Sequence, residues 1–201
     1  MSRGAVARLF VAVDPPPQAC DQLAAWTRGA SAGLGLRAGE GGRPPLRLLA
    51  PESLHLTLCF LGSRPVAEIE AIAGALGTCA RPVGELRVGA PVWLPPRRPR
   101  ALAVEVHDDD GELTGLQADV SRAIATVSGW EPERRRFRAH VTLARIGARS
   151  VLRSSRGESS LPATPPLRFT PAALILYRSW LSRAGASYEP LVSCDLEPTA
   201  D

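Results

Sequence analysis

Two alternating apolar stretches, "LHLTLCFLG" at residues 54–62 and "HVTLARIG" at 140–147, constrain this chain more than any other feature. A period of two reads as a half-buried β-strand, in which residues two apart share a face. Leu54, Leu56, Leu58 and Phe60 then face a core while His55 and Thr57 leave together on the other side. In the second stretch Val141 and Leu143 point inward, His140 and Thr142 outward. The same order of elements precedes both. "RLFVAVD" (8–14) reads as a strand, Asp14 as the N-cap of a helix opened by prolines, and Leu23 and Trp26 as its inner face. "ALAVEV" (101–106) takes the corresponding place in the second half, followed by a helix from about Gly111 that turns Leu113, Leu116, Val120, Ile124 and Val127 inward. Strand, helix and histidine strand thus occur twice, with 85 residues between His55 and His140. That is the pattern of a duplicated unit.

The rest of the chain fills in an α+β protein. Ser63 and Pro65 open a helix with Ile69, Ile72, Ala73 and Leu76 on one stripe. Strands are expected at 85–94 and 100–106, separated by "PPRRPR", and at 167–177 and 187–196. Residues 31–51 and 148–166, rich in Gly, Pro, Ser and Arg, read as loops. With 201 residues, 45% of them hydrophobic, the chain is long enough for one domain over 1–201 with two similar lobes.

Composition excludes several chemistries. All 24 basic residues are arginine, so there is no lysine to serve a phosphate-binding loop, a Schiff base or a lysyl-adenylate. Arginine's planar fork suits an anionic partner, although a general replacement of Lys by Arg in a GC-rich genome gives the same composition. Cys20, Cys59, Cys79 and Cys194 fall at unrelated spacings and read as reduced thiols of a cytoplasmic protein. The apolar run "LFVAV" is too short for a signal-peptide core or a membrane span.

With nine threonines in the chain, two of three histidines followed by Thr at the second position is roughly a 1-in-150 coincidence. A polar pair on the wet face of a strand explains one such motif, but not two in a duplicated frame. A metal site built on "HDDDG" (107–111) is the competing reading; its aspartates lead into a helix, where acidic residues cap the N-terminus, and no metal is assigned. Two histidines at opposite ends of one phosphorus suit in-line displacement at a phosphodiester, one as base and one as acid. Threonine hydroxyls and an arginine would hold the non-bridging oxygens. No metal or other cofactor is then needed.

"HLTL" and "HVTL" resemble the paired H-x-T-x signatures of the 2H phosphoesterase superfamily. Within it the chain is most similar to the RNA 2′,3′-cyclic phosphodiesterases, the LigT-like proteins. "RLFVAVDPP", "APESLHLTLCFLG", "FRAHVTLARI" and "LILYRSWLSRAGASYEPL" carry the likeness. It implies a two-lobed α+β fold of antiparallel sheets with flanking helices around a central cleft. The implied activity is metal-free hydrolysis of RNA 2′,3′-cyclic phosphate ends to 2′-phosphate ends. His55 and His140 would be catalytic, and Thr57, Thr142 and Arg145 would bind phosphate. The 3′-oxygen is then the leaving group; either histidine can serve as its acid, and His55 is taken as acid with His140 as base. Strict alternation points Arg145 away from His140, so its role requires a bulge or a strand end there. The chain departs from many relatives at Ala139, often proline, and at Ser63, often acidic.

Other residues keep two readings. Phe10 and Tyr177 are candidates for base stacking or for the core. Arg134, Arg135, Arg136 and Arg138 are candidates for tracking an RNA backbone or for a solvated charge run. The expected partner is RNA with a cyclic-phosphate end, or a cyclic nucleotide, with no membrane contact and a monomer favoured. The alternatives are a phosphodiesterase of small cyclic or 2′,5′-linked nucleotides and a non-catalytic nucleotide or RNA binder.

Overall fold

A computed structural model describes residues 5–33, 46–146, 161–182 and 185–196. Among these residues lie nine strands: β1 (Val6–Val13), β2 (Leu46–Leu48), β3 (Leu56–Pro65), β4 (Leu86–Leu94), β5 (Ala101–His107), β6 (His140–Ile146), β7 (Arg168–Phe169), β8 (Ala173–Leu181) and β9 (Ala186–Asp195). Three α-helices accompany them, α1 (Pro17–Gly33), α2 (Ile69–Cys79) and α3 (Glu112–Val127). The strands form one sheet in the order β7-β4-β5-β6-β3-β1-β8-β9, with β2 also on β6. Every pairing in it is antiparallel.

The two halves meet at a single residue pair, Leu56 with Val141. Past that pair the free edge of β6 is taken by β2, from Leu48–Ala144 to Leu46–Ile146. The sheet therefore parts into two lobes at the two histidine strands, which is the two-lobed antiparallel arrangement expected. The helices cross over between the halves, α1 lying against β6 and β2, and α3 against β3 and α2. A continuous core holds the lobes together: Leu9, Val11 and Val13 of β1 pack with Leu113, Leu116, Val120 and Ile124 of α3 and with Val141 and Leu143 of β6. Burying each such side chain contributes about 1.5–3 kcal/mol.

Several local expectations change. Leu46–Leu48 is a strand rather than loop, because β6 offers it an open edge. Residues 34–45 and 148–160 of the expected loops lie outside the described residues. Ser63 and Pro65 belong to β3, and a 3₁₀ turn at Val66–Glu68 leads into α2, whose buried stripe uses Ala75 in place of Ala73. Val127, expected inside, is 42% exposed at the last turn of α3. The expected strand 167–177 is broken at 170–172, where Pro171 has no N–H for the ladder, and β8 runs on to Leu181. Asp108 of "HDDDG" caps α3, accepting from the Leu113 and Thr114 amides at 3.2 and 2.7 Å. Among the described residues no helix is long and apolar enough to cross a membrane.

Candidate active site

Both histidine strands carry a bulge at the leucine after their threonine. In β3, Cys59 pairs with Val11 but Thr57 with Ala12, leaving Leu58 as the extra residue. In β6, Ala144 pairs with Leu102 but Thr142 with Ala103, leaving Leu143 as the extra residue. A bulge of this kind reverses the in-out phase of everything beyond it. Cys59 and Ala144 accordingly turn into the core, while Phe60 and Arg145 return to the face of the histidines. Phe60, expected in the core, is exposed for this reason. Arg145 gains the bulge that its expected role requires.

The pair Leu56–Val141 sets the geometry between the motifs. An antiparallel course through it brings His55 level with Thr142, and Thr57 level with His140. Each imidazole is tethered to its own strand. His55 Nδ1 donates to the Ser53 carbonyl at 2.9 Å, and His140 Nδ1 to the Arg138 carbonyl at 2.7 Å. A carbonyl only accepts, so each Nδ1 carries the hydrogen and each Nε2 is left to exchange protons with a ligand. Among the described residues neither the Thr57 nor the Thr142 hydroxyl has a hydrogen-bond partner, and Arg145 has no carboxylate partner.

The surroundings of the two rings differ. His55 lies 4.8 Å from Phe10 and 4.9 Å from Tyr188, centroid to centroid, with Tyr188 edge-on. Burial among these rings is the main force pushing its imidazole down to about 4; the charges of Arg145 and His140 add to the shift and the Ser53 carbonyl opposes it. Tyr177 stacks on Phe10 at 5.1 Å and donates its hydroxyl to Asp14 at 2.5 Å. Asp14 is thus no N-cap. Burial lifts its carboxyl above the usual range, with the Tyr177 bond opposing. Phe10 is 2% exposed and forms the wall behind His55, so it presents no face to a base. His140 stands opposite Glu105 of β5. Glu105 binds Arg138 at 2.8 Å, so the residue that fixes the His140 ring is itself held by an ion pair. Arg134, Arg135 and Arg136 are exposed on the approach to β6.

Tyr188 and Glu105 escaped the sequence reading. Each reaches its histidine through strand pairing, so only register could have signalled them. Among the described residues no three His, Cys, Asp or Glu side chains are placed to hold a metal ion. A cavity of about 500 Å³ beside Asp14, Pro17, Glu52 and Leu54 includes neither histidine.

Residues 15–180 match the model of the 2′-5′ RNA ligase superfamily. An Aeropyrum pernix protein named RNA 2′,3′-cyclic phosphodiesterase is 40% identical over 110 residues, 53% of this chain and 61% of that one. This chain thus spans less than two thirds of that relative's length. An Escherichia coli protein of the same name is 29% identical over 193 residues, covering 92% of this chain and 93% of its own. The crystal structure of Escherichia coli LigT complexed with 3′-AMP superposes with a TM-score of 0.75 at 24% identity, over 96% of this chain and 100% of that one. At that identity the superposition speaks for the fold.

Proposed function

The chain belongs to the 2′-5′ RNA ligase superfamily, and from that premise we propose that it hydrolyses RNA 2′,3′-cyclic phosphate ends to 2′-phosphate ends, in the cytoplasm and without a metal. The observation that carries this reading is the pair of tethered imidazoles, each with Nδ1 on the carbonyl two residues before it, set side by side through Leu56–Val141. The names of the two relatives support the substrate. Despite the superfamily's name, a chain without lysine has no residue for a lysyl-adenylate.

The chemistry follows from the arrangement. Water attacks phosphorus while one Nε2 takes its proton; the bond from phosphorus to O3′ breaks and the other Nε2 supplies a proton to O3′. Thr57 and Thr142 donate to the non-bridging oxygens, where charge accumulates, and Arg145 adds a charge-assisted contact. We take His55 as the acid and His140 as the base. His55 is neutral in the free protein, so in that role it takes up a proton when the phosphate anion arrives to favour the charged ring.

The test is turnover of 2′,3′-cyclic nucleotides and of a cyclic-phosphate-ended RNA in the presence of a chelator, with the product isomer resolved. Release of 2′-phosphate is the expected result. Formation of 3′-phosphate, or loss of activity to the chelator, would overturn the mechanism. Ligand binding by a folded protein that shows no turnover would make it a binder instead.

A further inference from the structure

At the end of β6 beyond Thr142 the second lobe gathers arginine. Arg145 is paired with Arg47 of β2 on one side and with Ala101 of β5 on the other. Like charges directly opposite each other weaken a strand pair, and Arg47 and Arg145 stand in that relation. Arg100 precedes Ala101, and its carbonyl accepts from the Ile146 amide at 2.8 Å, which fixes it beside Arg145. The connection from β4 to β5, "PPRRPR" at 95–100, leaves Arg97, Arg98 and Arg100 exposed. The Arg100 amide closes this turn on the Leu94 carbonyl at 2.8 Å. Its three prolines fix φ, so the arginines are presented with little chain entropy left to lose. On the opposite flank Arg47 lays its guanidinium against Gly185 of the β8–β9 turn.

Among the described residues Arg97, Arg98, Arg100 and Arg145 make no ion pair, and no Asp or Glu occurs between residues 86 and 104. The other arginine run differs. Glu131 and Glu133 precede Arg134, Arg135 and Arg136 in the sequence, and Arg138 is bound by Glu105 at 2.8 Å. Of the two, the strip at 97–100 is the one free of carboxylates and continuous with the phosphate site through Arg145. We propose that Arg97, Arg98 and Arg100 form a track for the RNA backbone on the 5′ side of the cyclic-phosphate end. Arg145 lies up to about 10 Å from Thr142 along β6, and Arg100 one strand spacing of about 4.8 Å to its side. A strand stacked at about 3.4 Å per nucleotide covers that distance in roughly three to five nucleotides. The guanidinium forks meet phosphate oxygens and leave the bases alone. The track therefore favours a longer RNA without reading its sequence. The inference rests on the RNA-end reading of the site and adds where the chain upstream of that end lies.

The experiment measures kcat/KM, over a series of salt concentrations, for a 2′,3′-cyclic mononucleotide and for a single-stranded hexanucleotide ending in the same nucleotide. The proteins are the wild type, the double variant Arg97→Gln/Arg98→Gln, Arg100→Gln, and the triple variant Arg134→Gln/Arg135→Gln/Arg136→Gln. The double variant should lose about 10-fold on the hexanucleotide at low salt and less than twofold on the mononucleotide. Its slope of log kcat/KM against log salt should flatten by about 1.4, at about 0.7 for each phosphate contact of a single strand. Arg100→Gln should show about half that flattening, and the triple variant should lose less than about threefold on either substrate. Equal loss on both substrates, no loss on either, a loss on the hexanucleotide confined to the triple variant, or a wild type indifferent to length overturns the track. Each of these leaves the cyclic phosphodiesterase reading intact. A wild type that turns over neither substrate overturns both.

Discussion

The strands carrying His55 and His140 share a backbone plan and differ in what their neighbours bring. Both tether Nδ1 to the carbonyl two residues back, and both bulge at the leucine after the threonine. β1, β8 and β9 set Phe10, Tyr177 and Tyr188 around His55, whereas β5 sets Glu105 opposite His140 and holds Arg138 there. Duplication thus supplies two equivalent proton-carrying groups, and the flanking strands make them unequal. Burial holds the His55 ring neutral in the free protein, so its role as acid depends on the bound phosphate anion to favour the charged ring.

The strongest attack on the comparison is to remove each ring. His55→Ala and His140→Ala should each lower turnover by about 10² to 10⁴, with circular dichroism unchanged. If one variant keeps wild-type turnover, that histidine is outside the mechanism and the two strands are not partners. The next largest effect belongs to Arg145, the residue by which the second motif differs from the first. Arg145→Ala should cost about 10² to 10³ in kcat, the usual effect of losing one donor to a developing anion. Lysine there should recover part of it, keeping the charge without the fork. Because Arg145 also holds the His55 pKa down, an NMR titration of Arg145→Ala should find that ring titrating higher. An unshifted His55 would place Arg145 away from the first motif.

Much of this site was legible because alternation alone puts His55 with Thr57 and His140 with Thr142. Beyond the bulges it was not. The side on which Phe60 and Arg145 emerge depends on one extra residue, and that residue is set by register against β1 and β5 rather than by the motif's own letters. Asp14 failed for a related reason: an aspartate before three prolines looks like a cap, but Tyr177, 163 residues away, takes its carboxylate. Tyr188 and Glu105 reach the histidines only through long-range strand pairing. The two-lobed fold was readable from the repeated order of elements, whereas β2 is too short at three residues to have a period.

His55's burial also makes the asymmetry measurable in stability. An unfolded imidazole binds its proton near 6.5, whereas His55 in the fold does so at about 4. The unfolded chain therefore takes up a proton first as pH falls. The neutral ring's contribution is fully present above 6.5 and is lost as the pH drops toward 4. The expected loss between pH 7 and pH 5 is about 2 kcal/mol at 1.36 kcal/mol per unit. Urea denaturation at the two pH values should show this component in the wild type and not in His55→Gln. The same slope in both proteins would assign it to other groups and weaken the contrast with His140.

The smallest effect should come from the ion pair on the other side. Arg138 is 65% exposed and Glu105 33%, so the pair is screened by water, and exposed bridges of this kind contribute roughly 0.2–1 kcal/mol. What orients His140 is the Arg138 carbonyl, which belongs to the backbone and survives any change of side chain. Glu105→Gln should therefore lower stability by less than about 1 kcal/mol and change kcat by less than about threefold. A drop of the size expected for His140→Ala would mean that Glu105 acts on the ring directly. The two strands would then differ in kind, one histidine tuned by burial and the other by a carboxylate.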